Sequence, residues 1–274
     1  MMKPQVRNKT THKAQKIRTH RKHYMTELIF LGTSKAVPNL EHQNSHFVVK
    51  LGERVILVDC GVNPLVRLKQ IGVDPFSITD LIITHFHPDH VSGFPLFLMD
   101  LWLLGREKAL EIYALQDVID RLRALMALYD WEGWEGFYPV NFHGLPQEEM
   151  IPCIDSDQVK MWASASCHSV PSMGVKMVFP EGSLCYSSDT APCGAIERLA
   201  KDVNFLIHEA SDEDGHGHST PEQAGEIASK AGVQVLCLIH YDPESDLDTL
   251  KERAAQTFDG KVIIAEDLMT VNFS

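Results

Sequence analysis

Between Thr84 and His90 the chain reads Thr-His-Phe-His-Pro-Asp-His, directly after the apolar stretch Leu81–Ile83. Three imidazoles and a carboxylate within six residues, at the end of a buried strand, constrain the fold more than any other feature. Polar groups in that density are tolerated beside a core only when they are paired or bind a metal. Residues two apart on an extended segment point to the same side, so His85 and His87 can face one ion. A turn at Pro88 can then swing Asp89 and His90 toward a second. Imidazole with carboxylate suits zinc or manganese, with water completing the shell, and a site for two divalent metal ions follows. A solvated loop that happens to be rich in histidine is the ordinary alternative, and it fits a lone His far better than four candidate ligands at this spacing.

Further ligands are offered in similar settings. His168 follows Ala165-Ser166-Cys167 at a strand-to-loop position, Asp189 comes just after the strand Ser183–Tyr186, and His240 ends the strand Val235–Ile239. Taken singly, a histidine in such a place is more often a satisfied structural residue than a ligand.

The order His-x-His-x-Asp-His, then His, Asp and His, resembles the metallo-β-lactamase fold superfamily, and the resemblance covers roughly residues 26–270. It implies an α/β fold, a four-layer αβ/βα sandwich with the site at one edge of two sheets. It also implies one metal on His85, His87 and His168, another on Asp89, His90 and His240, and Asp189 between them. Four more segments are similar to the branch that contains RNase Z and related phosphodiesterases: Phe30-Leu31-Gly32-Thr33-Ser34, Asp59-Cys60-Gly61, His208-Glu209-Ala210-Ser211, and Gly217-His218-Ser219-Thr220 followed by Gln223-Ala224. In that branch Glu209 and His218 correspond to a pair that sets a proton donor beside the leaving oxygen, since a buried carboxylate favours the protonated form of a neighbouring histidine. Glu209 as a mere cap on the Gly-rich loop Asp214–Gly217 is the alternative, and His216, next to His218, is left outside the site. The implied reaction is attack of a metal-bound hydroxide on a phosphodiester, with Asp89 orienting or deprotonating the nucleophile and His218 protonating the leaving group.

Three departures bear on the substrate. Pro88 stands where RNase Z usually has Gly, Gly61-Val62-Asn63-Pro64 replaces Gly-Glu-Gly-Thr, and only 20 residues separate His168 from Asp189. Bacterial tRNA enzymes generally place a long Gly- and Lys-rich arm in that interval, for which there is no room here. Residues 1–24 hold eight Lys/Arg and no acid, leaving 17 bases against 37 acids on the rest of the chain. A body so acidic repels a long polyphosphate, because nucleic-acid affinity rests largely on Lys/Arg neutralising phosphates. A small or compact phosphodiester, such as a cyclic nucleotide, is therefore favoured. The alternatives are a true tRNA 3′-processing endonuclease and a β-lactam, thioester or other carbonyl-ester hydrolase of the same fold, to which the Glu209/His218 pair is less suited. A non-catalytic scaffold would be expected to have lost ligands.

The remaining pattern fills in the domain. Residues 1–24 read as a disordered basic tail and 25–274 as one hydrolase domain. Short apolar runs at 28–31, 47–49, 55–58, 81–84, 175–179, 183–186, 205–207, 235–238 and 262–264 predict strands, and 64–71, 94–104 and 115–129 predict helices. Thr220 as N-cap and Pro221 in the first turn start another helix that ends near Gly232. A strand-rich first half followed by alternating strands and helices suits two packed sheets with helices outside. No run of 18 apolar residues predicts a membrane span. Six cysteines without a repeated spacing, and no signal peptide, point to free thiols in a reducing, cytoplasmic setting. Relatives in this branch are often homodimers.

Overall fold

The computed structural model describes residues 25–211 and 217–273. The basic segment 1–24 and His216 lie outside the described residues. The first sheet contains β1 (Thr26–Gly32), β2 (His46–Leu51), β3 (Arg54–Val58), β4 (Asp80–Ile82), β5 (Leu110–Leu115) and β6 (Val140–Leu145). The second contains β7 (Ile151–Asp155), β8 (Lys160–Ala165), β9 (Met173–Phe179), β10 (Gly182–Tyr186), β11 (Phe205–Glu209), β12 (Val235–Ile239) and β13 (Lys261–Ile264). The last strand, β14 (Thr270–Phe273), returns to the first sheet beside β1. The strand orders are β14-β1-β2-β3-β4-β5-β6 and β13-β12-β11-β10-β9-β8-β7.

Both sheets obey one plan that the sequence pattern did not reveal. In the first, β14 to β3 pair antiparallel and β3 to β6 parallel; in the second, β7 to β10 pair antiparallel and β10 to β13 parallel. The chain is thus two topologically matching halves rather than a strand-rich half and an alternating half. Apolar inner faces pack the two sheets together, with Phe47 of β2 meeting Tyr186 of β10 edge-on at 5.1 Å, both fully buried. Losing a buried aromatic of this kind costs about 3–5 kcal/mol.

Helices cover the outer faces and complete four layers. Helices α1 (Pro64–Gln70), α2 (Pro88–Val91), α3 (Phe94–Leu103) and α4 (Gln116–Ala127) belong to the first half, and α5 (Gly194–Leu199), α6 (Pro221–Ala231) and α7 (Leu247–Ala255) to the second. Helix α4 buries Val118, Ile119 and Leu122, and α6 buries Ala224, Ile227 and Ala228, each on a stripe at helical spacing. The start of α6 is fixed as its sequence predicts: Thr220 Oγ1 accepts from Gln223 N, the Gln223 side chain accepts from Thr220 N, and Gly232 ends the helix at φ 68°. Strands β6 to β8 and β14, and helices α5 and α7, carry polar residues among their apolar positions and give no clear period, while β5 is buried but interrupted by Glu111.

Parallel strands end at a common edge, and this positions the site. Val58 pairs with Ile82 and Glu209 with Ile239, so the segments after β3 and β4, and after β11 and β12, emerge side by side. The packing behind that edge is tight. A Cβ on Gly93 would lie 1.9 Å from the Gly61 carbonyl oxygen and 3.1 Å from that of Cys60. Gly93→Ala is therefore expected to destabilise the fold by about 1–3 kcal/mol through overpacking, read as a lower urea midpoint with an unchanged slope.

Candidate metal centre

Each candidate ligand leaves the end of a strand and is turned inward by the segment after it. Beyond β4, His85 is held by an isolated antiparallel bridge to Ser172, and His87 is the N-cap of α2. Pro88 supplies the preset φ of the first helical turn, so a single turn of helix, rather than the simple turn expected, carries Asp89 and His90. His168 follows β8, Asp189 follows β10 and His240 follows β12. Three residues without glycine's freedom adopt left-handed backbone here: Asp59 (φ 60°), Ser188 (φ 54°) and His240 (φ 55°). Such conformations cost about 1–3 kcal/mol each and persist only where surroundings enforce them. For His240 the enforcement comes from the Thr33-Ser34 segment after β1, whose Thr33 carbonyl accepts from His240 N at 2.8 Å.

The side chains converge on two points. His87 Nδ1 lies 3.2 Å from His85 Nε2 and 3.1 Å from His168 Nε2, and Asp189 Oδ2 lies 3.6 and 4.0 Å from those same two nitrogens. In the second group Asp89 Oδ2 is 3.4 Å from His90 Nε2 and 3.5 Å from His240 Nε2. Asp189 Oδ2 is again close, at 3.6 and 3.4 Å from these two. A tetrahedral ion with bonds near 2.0–2.1 Å has ligand-to-ligand edges of about 3.3 Å. Both groups fit that size, and one oxygen of Asp189 belongs to both. His90 Nε2 and Asp189 Oδ1 are buried without a hydrogen-bond partner, as expected of atoms shaped for a cation.

Electrostatics agree with the geometry. Burial holds His85 and His168 below the usual histidine range, which keeps them neutral and ready to coordinate. Burial alone would lower His90 too, but the charges of Asp189 and Asp59 outweigh it and pull its pKa well above the usual value. The negative charge that would hold a proton there is the charge a divalent ion neutralises. Asp189 runs the opposite way: burial would raise it, and His240, His90 and His85 together hold it well below the carboxylate range.

Supporting contacts explain the remaining sequence motifs. Asp59 Oδ2 lies 2.9 Å from His90 Nδ1, and its Oδ1 accepts from Thr84 N at 2.8 Å. This fixes the His90 proton on Nδ1 and turns Nε2 to the cluster. His168 Nδ1 donates to the Gly217 carbonyl at 2.8 Å. Glu209, fully buried, accepts from Ser211 N and Ser219 N at 2.9 Å, from Thr190 N at 3.2 Å, and pairs with His218 Nδ1 at 3.1 Å. It thus pins both ends of the loop between β11 and α6 and holds His218 by Nδ1. The His218 ring stands 4.9 Å from His168 and stacks on His240 at 5.7 Å. It also comes within ligand range of Asp189 and His240. Asp59 was not singled out from sequence as a site residue, although Asp59-Cys60-Gly61 directly after a buried strand was the available signal.

Two seven-stranded sheets, outer helices and adjoining His/Asp clusters at the strand ends define a metal-dependent hydrolase of the metallo-β-lactamase fold, RNase Z-like in its motifs. The chain belongs to the family described as anti-Pycsar protein Apyc1, which matches residues 26–261. It is 26% identical to a ribonuclease Z of Methanothermobacter thermautotrophicus over 304 aligned positions, covering 90% of this chain and 96% of that protein. Among solved structures, it is similar to the metallo-β-lactamase fold protein YhfI of Bacillus subtilis (TM-score 0.78, 20% identity, 90% of this chain and 99% of that one). The short form of human tRNase Z is also similar (TM-score 0.75, 25% identity, 90% and 99%). Among the described residues no helix is long and apolar enough to cross a membrane.

Asp59→Asn keeps the shape of the side chain but removes the charge that orients His90. Metal affinity at the Asp89, His90 and His240 group is expected to fall about 10- to 100-fold, read by titration with a metal indicator, while circular dichroism is unchanged.

Proposed function

We propose that the protein is a phosphodiesterase for a compact phosphodiester, a cyclic nucleotide being the leading example, working with two zinc ions. One is held by His85, His87 and His168, the other by Asp89, His90 and His240, with Asp189 shared. Zinc is preferred to manganese because nitrogen-rich ligand sets at tetrahedral spacing suit it. The observation that carries the reading is the position of His218, set against both ligand groups yet anchored through Nδ1 to the buried Glu209. A proton donor belongs there if a phosphate ester bridges the two groups.

When bound, the two ions supply Lewis acidity toward phosphorus and lower the pKa of a water. The chain's own residues do the rest. Burial opposes ionisation of Asp89, but His240, within hydrogen-bond reach, and the nearby charge of His90 outweigh it and hold the carboxyl well below its usual range, so it stays charged and can orient the attacking nucleophile. His218 gives its proton to the leaving oxygen, and Glu209, 3.1 Å from its Nδ1, fixes its direction. His218 as a third ligand of the His240 group is the competing role.

Substrate size is argued from what lies between His168 and Asp189. Strands β9 and β10 and their tight turn, residues 173–186, take 14 of the 20 residues in that interval, leaving no room for a long arm to grip a tRNA body. The alignment to the Methanothermobacter enzyme is longer than this whole chain, so that relative carries segments this one lacks. With 17 bases against 37 acids beyond residue 24, the body also lacks the phosphate-neutralising charge a long RNA needs. Self-association into a homodimer is part of the same reading, through the exposed Leu96, Leu103, Leu104, Leu128 and Tyr129 of α3 and the end of α4. So is a cytoplasmic location, which suits six free cysteines.

With metal-loaded enzyme, 3′,5′- and 2′,3′-cyclic nucleotides and bis(p-nitrophenyl) phosphate are expected to be hydrolysed, and a precursor tRNA, a β-lactam and a thioester to be left nearly intact. Preferential tRNA cleavage would overturn the substrate assignment. His218→Ala is expected to lower kcat by about 10²- to 10⁴-fold with both metals retained by elemental analysis; loss of a metal would instead make His218 a ligand. The basic segment 1–24 lies outside the family match, and its deletion is expected to leave diester hydrolysis unchanged.

A further inference from the structure

Cys167 and Cys193 play no part in the reaction proposed above, yet they are placed as a pair. Their sulfurs stand 2.8 Å apart, and among the described residues no other two cysteines are in contact. Cys167 is exposed and Cys193 buried; the remaining four thiols are buried or half-buried. The pair is also next to the metal centre on both sides. Cys167 precedes His168, and Cys193 closes the segment Asp189-Thr190-Ala191-Pro192-Cys193 before capping α5. The two segments already run together: Ala191 N donates to the Cys167 carbonyl at 2.8 Å, Cys167 N to Thr190 Oγ1 at 3.1 Å, and Ser166 Oγ to the Asp189 carbonyl at 3.0 Å. Bringing the sulfurs to the ~2.05 Å of a disulfide needs little movement of backbone that these bonds already align.

We propose that Cys167 and Cys193 form a reversible disulfide, with a small disulfide of the oxidised-glutathione class as oxidant, which staples the loop bearing His168 to the loop bearing Asp189. The exposed Cys167 thiolate attacks one sulfur of the oxidant and releases the first glutathione thiolate, leaving a mixed disulfide on Cys167. The Cys193 thiolate then attacks Cys167 Sγ and expels the second glutathione. Two protein thiols are oxidised, the S–S bond of the oxidant is reduced to two thiols, and the protons lost by the protein end on glutathione. A dithiol runs the sequence backwards.

The consequence concerns metal retention. On the proposed reading the loops bearing His168 and Asp189 would both hold metal, and the staple ties them through a covalent link one residue from one ligand and four from the other. Formation of the disulfide does not depend on the proposed function; only its effect on metal rests on the assignment of the metal centre. Metal-loaded full-length protein is incubated with oxidised glutathione, then digested and mapped. The expected result is a cross-link between the peptides holding Cys167 and Cys193, reversed by dithiothreitol, a melting temperature raised by roughly 5–10 °C, and slower metal loss to EDTA. Cys167→Ser should abolish all three effects, and Cys193→Ser should stop at a glutathione adduct on Cys167. A wild-type protein that keeps the adduct without forming the cross-link overturns the proposal. A cross-link that leaves the EDTA rate unchanged overturns the effect on metal, and a preparation that binds no metal while still forming the cross-link counts against the metal centre rather than the staple.

Discussion

Asp189 Oδ2 lies between 3.4 and 4.0 Å from ring nitrogens of four histidines, His85, His90, His168 and His240. A buried carboxylate costs several kcal/mol in lost hydration, and breaking up such a group leaves uncompensated charge. The edge of the molecule is arranged so that this oxygen always has company. His85 and His90 come from the first sheet's side and His168 and His240 from the second's, so the charge on one carboxylate ties the two halves of the sandwich together where their parallel strands end. A divalent cation held by these residues would complete the compensation, in keeping with the ligand groups they form.

The same edge concentrates backbone strain. Asp59, Ser188 and His240 each take left-handed dihedrals immediately after a strand or its exit segment, and each does so beside a residue that points into the cluster or is itself part of it. Segments that looked like family decoration in the sequence hold this strain in place. Thr33 anchors His240 through its carbonyl, Cys60 N bonds the His90 carbonyl at 2.8 Å, and Gly217 lends its carbonyl to His168. Gly217 lies at φ 85°, and a Cβ there would stand 3.0 Å from His168 Nδ1, so only glycine allows the approach.

Substrate size and chemistry come from different parts of the chain. The His/Asp clusters at the strand ends carry the proposed chemistry, whereas the short β9–β10 hairpin and the acidic body carry the proposed limit on substrate size. On the proposed reading, a centre loaded with cations would be locally positive and draw in a small anionic ester, while an acidic body would repel a long polyanion. The thiol pair Cys167 and Cys193 joins the same loops.

Much of this was legible in the sequence. The spacing of His85, His87, Asp89 and His90 defined the site, and the limits of β1, β3, α1, α3 and α6 follow from apolar runs, Pro at the first turn and Gly at the end, because those signals act over a few residues. The order of His168, Asp189 and His240 gave the remaining members of the cluster only through resemblance. What tertiary structure alone decided is non-local: that the two sheets repeat one pairing plan, that Asp59 orients His90 across 31 residues, and that Cys167 meets Cys193. Strands β5 to β8, with polar residues on one face, were invisible because their burial is set by the partner strand and the covering helix. Local chemistry fixes which residues can bind a cation, and the register of parallel strands fixes which of them meet.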